Sequence, residues 1–231
     1  MGALTGETIV AVWEAAREQR PLDRALTLLA CVSPGQSRDD LARLPIGERD
    51  RRLFELREQV FGPRLALSAG CPACRQPNEF ELALRDLVQP PGRAPLRFEQ
   101  GERSIELRMP DSSDLAQALA SDDPARELAR RCLVAEPDEL SPDDLARLAA
   151  AIETADPLAE LRLAITCAAC GHGWKALLDI GELLFTELGA VARDLLGQVH
   201  ALAFAYKWRE ADILQMSPAR RQLYLQMVGY E

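Results

Sequence analysis

Residues 165–179, ITCAACGHGWKALLD, set two cysteines three apart between alternating apolar positions. Such a stretch reads as strand, tight turn, strand, with both sulfurs carried to one side of the turn. Two thiolates cannot enclose a tetrahedral zinc, which needs four ligands at about 2.3 Å. The other close cysteine pair lies in GCPACRQPNEF, residues 70–80, and its flanks repeat the pattern. LALSAG precedes it, and Phe80, Leu82 and Leu84 alternate after it. Read as one unit used twice, the two segments offer four thiolates, Cys71, Cys74, Cys167 and Cys170, to a structural Zn2+. The fold expectation is α+β: a small zinc-ribbon-like antiparallel β core with two Cys-x-x-Cys knuckles, surrounded by helices.

The separation constrains this reading. Between Cys74 and Cys167 lie 92 residues, 75–166, where a compact ribbon has a few tens, so residues 85–160 are expected to be an insertion carried between the halves. A metal there would close a long loop, where restraint has most to offer stability. Arg75 occupies the position after the second cysteine that Gly171 holds in the other knuckle. Two other readings stay open: buried thiols without metal, and a redox dithiol. The redox reading calls for a helix opening directly after the pair, whereas strands are expected on both sides here. Four thiolates leave no open coordination position, so catalytic zinc is not expected. His172 is expected to face solvent or to hydrogen-bond behind the ligands, Cys31 and Cys132 to be core thiols, and His200 to be a core histidine on a helical stripe.

Outward from the cysteines the period becomes helical. Thr5 or Thr8 can cap a first helix carrying Ile9, Val10, Val12 and Trp13, and Pro21 opens a second, PLDRALTLLA. A third pattern has Ile46, Leu53, Leu56 and Val60 on one stripe and ends at Gly62-Pro63. PPGRAP, residues 90–95, reads as a loop, and LRFEQGERSIELRMP as a hairpin turning at Gly101. Three helices follow, each after a Ser or Asp cap, and Asp179 with Glu182 forms a capping-box pattern ahead of the longest apolar stripe, Leu183 to Leu202. Two short helices close the chain. The expected organisation is a helical region at 1–62, the first knuckle with hairpins at 63–110, a helical insertion at 111–157, the second knuckle at 158–178 and a helical region at 179–231, all in one interleaved body.

The 231 residues carry a net charge of −9, which argues against general nucleic-acid binding because phosphate contacts need a basic face. No apolar run is long enough for a membrane span, and the first residues lack the basic start of a secretory signal, so a reducing cytoplasmic setting is expected. No glycine-rich phosphate loop and no Gly-x-Ser-x-Gly occurs, and neither histidine sits beside a nucleophile in a recognisable setting. No active site and no small-molecule substrate are expected. A zinc-ribbon protein regulating nucleic acid is the alternative class, and a redox dithiol protein the next.

Three segments carry a resemblance: LPIGERDRRLFELREQVFGPRLALSAGCPAC (44–74), CAACGHGW through LLD (167–179) with its following helix, and VHALAFAYKWREADILQMSPARRQLYLQMV (199–228). Together they resemble the baseplate hub assembly chaperone family of T-even-type phages, whose relatives accompany contractile tails and related injection systems. The resemblance spans roughly residues 20–230. It implies a non-enzymatic role in building a baseplate, with hub or wedge proteins as partners. Large apolar groups and arginines crowd the closing segment, and Trp, Tyr and Arg are enriched at interface hot spots. Tyr206, Trp208, Ile213, Leu214, Arg220, Arg221 and Tyr224 are therefore the expected partner-binding residues. Packing of Trp208 and Leu214 back over the long helix fits the same residues equally well.

Overall fold

The computed structural model describes residues 4–88, 96–135, 137 and 139–230, so the expected loop at 90–95 lies outside the described residues. The helices described are α1 (Gly6–Ala16), α2 (Pro21–Ala30), α3 (Arg38–Ala42), α4 (Ile46–Phe61), α5 (Leu84–Leu87), α6 (Ser112–Ala118), α7 (Pro124–Cys132), α8 (Pro142–Ala155), α9 (Ile180–Tyr206), α10 (Glu210–Leu214) and α11 (Pro218–Met227). The strands are β1 (Arg64–Gly70), β2 (Pro77–Ala83), β3 (Leu96–Gln100), β4 (Arg103–Leu107), β5 (Arg162–Thr166) and β6 (Gly173–Leu177). Helix and small antiparallel sheets are mixed, as expected. Contacts divide the chain into two compact units, not one interleaved body: Met1–Gly35 with Gly181–Glu231, and Gln36–Ile180.

In the first unit Thr5 caps α1, its hydroxyl accepting from the Thr8 N–H at 3.2 Å. Helix α1 packs on α2 and α10. Arg24 reaches from α2 to the Glu182 carboxylate, at 3.1 and 3.0 Å, in the first turn of α9. Leu184, Leu188, Leu195, Val199 and Leu202 are buried along α9, one helical stripe. His200 is exposed and stacks beside Phe204, which corrects its expected place in the core. It lies roughly 100° past Val199 around the helix, off the apolar arc.

Among the described residues the second unit holds all six strands, in three separate two-stranded antiparallel sheets. The small β core expected from the sequence is thus three hairpins that do not pair with one another, the middle one bridging in addition from Leu107 to Leu133. The first and third have matching registers, with Gly70 opposite Pro77 and Thr166 opposite Gly173, so a six-residue loop bearing two cysteines closes each. The middle of the chain has a core of its own. Phe98, Ile105 and Leu107 of the β3–β4 hairpin cluster with Ala129 and Cys132 of α7, Leu133, Leu140, and Leu148 of α8. Cys132 is fully buried there, whereas Cys31 is only half-buried and its thiol donates to the Leu28 carbonyl at 2.8 Å.

Two polar contacts fix α4 in this unit. Its N-terminus has no side-chain cap of its own, because Pro45 precedes it. Asp156, just past α8, supplies one: its carboxylate accepts from the Gly47 N–H at 3.0 Å. At the other end the buried Arg57 donates to the carbonyls of Gly62 and Arg64, securing the turn into β1. Downstream, α6, α7 and α8 start at Asp111, Asp123 and Ser141, each accepting from an N–H of the first turn.

Candidate metal centre

The two knuckles share one backbone plan. In the first, the Cys71 N–H donates to the Gln76 carbonyl at 2.9 Å and the Arg75 N–H to the Cys71 carbonyl at 2.8 Å. In the second, Cys167 donates to His172 and Gly171 to Cys167, both at 2.9 Å. Matching bonds impose matching dihedrals. Gly171 takes φ 74°, and Arg75 takes φ 63° at the equivalent place, left-handed backbone that costs a residue with a Cβ roughly 1–2 kcal/mol. The knuckles meet without a metal as well: the Asn78 side-chain oxygen accepts from the Ala168 N–H at 3.0 Å, and its amide donates to Gln76 O at 3.0 Å.

The structure brings all four sequence-predicted ligands together. Cys71, Cys74, Cys167 and Cys170 place their sulfurs within 4.8 Å of one another, and none forms a disulfide. The close pairs run between knuckles, Cys71 to Cys170 at 3.7 Å and Cys74 to Cys167 at 3.6 Å. A tetrahedron with metal–sulfur bonds of about 2.3 Å has edges of about 3.8 Å, so these separations fit a thiolate cage around one ion. Disulfides require about 2.05 Å. Cys71 and Cys167 are buried, and Cys74 and Cys170 are exposed.

The electrostatics suit a cation. The Cys170 N–H, then that of Ala169, donates to the Cys167 sulfur and pulls its thiol down to about 6. The His172 N–H acts likewise on Cys170, but hydrogen bonds to the sulfurs around it, that of Cys74 foremost, hold this thiol at about 12. A divalent ion bound by these sulfurs would have to displace their thiol protons. Four thiolates would fill a tetrahedral ion and leave it no place for substrate or water. Strands flank each pair, and no helix opens directly after either. His172 is exposed, and its ring stacks beside Trp174.

The expected partner-binding residues divide. Tyr206 stacks on Trp208 with centroids 4.4 Å apart, Tyr224 meets both edge-on at 5.7 and 4.8 Å, and the Arg220 guanidinium lies 5.7 Å from the Tyr224 ring. Ile213, Leu214 and Arg221 are buried, so they support the segment from within, a correction to their expected contact role. Arg221 is held by Gln198 at 2.6 Å. Leu223 and Met227 are exposed beside this cluster's residues on α11 and were missed, although Arg220, Leu223, Tyr224 and Met227 have the spacing of one helix face. Among the described residues no helix is long and apolar enough to cross a membrane. Comparison of the chain with protein-family models, with curated proteins and with solved structures found no match.

Proposed function

We propose that this chain is a non-enzymatic protein-binding component of the baseplate of a contractile phage tail or related injection system, an assembly factor or structural part, stapled by a structural Zn2+. The observation that carries the binding role is the cluster of Tyr206, Trp208, Tyr224 and Arg220, large rings held against one another on a segment anchored by the buried Ile213, Leu214 and Arg221. The resemblance supplies the class of partner, hub or wedge proteins. The closed four-thiolate cage supports a metal that holds the knuckles together in preference to one that reacts.

Co-expression with neighbouring hub and wedge proteins tests the reading. A complex that weakens on Trp208→Ala is expected. Failure to form any complex, with particles assembling normally in the chain's absence, overturns it. The metal is tested separately by native mass spectrometry with and without chelator, where one zinc ion per chain is expected. A metal-free chain of unchanged stability overturns the staple.

A further inference from the structure

The charge of this chain is concentrated in one stretch. Residues 111–160 hold thirteen acids against four arginines, a net of −9 equal to that of the whole chain, and the rest balances. This stretch folds as α6, α7 and α8, and Leu119 at the end of α6 is 72% exposed, followed by exposed Asp122 and by exposed Asp123, whose carboxylate also pairs with Arg126 at 3.2 Å. The other unit has a face of opposite character. Helix α11 aligns Arg220, Leu223, Tyr224 and Met227, with Leu223 58% and Met227 72% exposed. Lys207 adds a second exposed cation to this segment, and neither Lys207 nor Arg220 has an ion-pair partner among the described residues.

We infer that the α11 face of one copy docks on the Leu119–Asp123 face of a second copy, head to tail. Apolar groups meet apolar groups at the centre, and cations meet carboxylates around them. Pairing like with like forfeits the second gain: α11 against α11 opposes arginines, and the acidic face against itself opposes carboxylates. A contact between unlike faces leaves one of each free on every dimer, so the assembly extends as a chain or closes as a ring. The faces are small, so the association is weak, and its electrostatic part is screened by salt.

Sedimentation velocity of the full chain at about 5 to 300 µM, in low salt and in about 0.5 M salt, reads this directly. The average mass is expected to rise with concentration in low salt and to fall back to that of the monomer in high salt. Leu223→Asp and Leu119→Asp each replace an exposed side chain, so both chains fold, with unchanged circular dichroism, and each alone stays monomeric. Mixed in equal amounts they form dimers and stop there, because one keeps an intact α11 face and the other an intact acidic face. A wild-type chain that stays monomeric throughout, association that persists in Leu119→Asp alone, or association indifferent to salt overturns the inference.

Discussion

Gly47→Ala is expected to destabilise this protein, against the usual sign of that change. In a helix interior Ala is preferred over Gly by about 1 kcal/mol. Gly47 lies in the first turn of α4, where an added Cβ would stand 1.8 Å from Asp156 Oδ1 and 2.3 Å from its Cγ and Oδ2. The carboxylate must leave. Its departure breaks the 3.0 Å bond from the Gly47 N–H, a bond to a charged acceptor worth about 1.5–3 kcal/mol, and unseats a side chain that is only 4% exposed. Set against the propensity gain, the net loss is about 0.5–2 kcal/mol. In an Asp156→Ala background the obstacle is gone, and the same change should stabilise by up to about 1 kcal/mol. Urea unfolding of the four chains, followed by far-ultraviolet circular dichroism, closes the double-mutant cycle with an expected coupling of about 1.5–3 kcal/mol. A stabilised Gly47→Ala chain, or the same effect in both backgrounds, refutes the reasoning.

Arg75→Gly should stabilise the first knuckle by roughly 1 kcal/mol and Gly171→Arg should destabilise the second by a similar amount, both read from unfolding midpoints of the metal-loaded protein. Serine at Cys71, Cys74, Cys167 or Cys170 should abolish the visible absorption of a tetrahedral Co2+–thiolate complex, whereas Cys31→Ser should leave it unchanged; full absorption in a three-thiolate chain would contradict the cage. Asp114 and Asp156 should respond to pH in opposite senses. Burial raises the Asp114 carboxyl, but the Arg108 guanidinium at 2.6 and 2.7 Å outweighs it and leaves it below its ordinary value. Its contribution is therefore in place above the unfolded value near 3.8 and is lost as pH falls through the folded one, a loss that Asp114→Asn should remove from stability measured against pH. Burial raises Asp156 despite the Gly47 N–H, so its contribution is present below the unfolded value and fades as pH rises through the folded one, and Asp156→Asn should flatten that slope.

What could be read from the sequence was what neighbouring residues decide. Pro21, Ser141 and Ser217 open their helices where cap chemistry puts them, and the alternation around each cysteine pair gives a hairpin. The short helix α3 went unread: Ser37 and Asp40 exchange capping bonds, three residues apart, but five residues carry too little periodicity to stand out. Contacts across the chain were not readable. Nothing local joins Gly47 to Asp156 or Asn78 to Ala168, 109 and 90 residues apart. The four ligands were found despite a comparable gap because cysteine pairs announce their chemistry by spacing, and an aspartate does not. Composition alone could not place Ile213 and Leu214, since the same apolar side chains serve a contact surface and a core. His200 failed by angle, one residue beyond a true stripe position.

The spacing of the knuckles also sets a timetable. At about 5–20 residues per second, the ribosome needs roughly 5–20 s to go from Cys74 to Cys167. For that interval the nascent chain carries a two-stranded hairpin, marginal by itself, with two thiols and no partner for Asn78. Residues 96–148 meanwhile complete a core that asks nothing of either knuckle. The acidic middle of the chain can thus be folded before the second knuckle exists, and the four sulfurs can come together only after that core is complete.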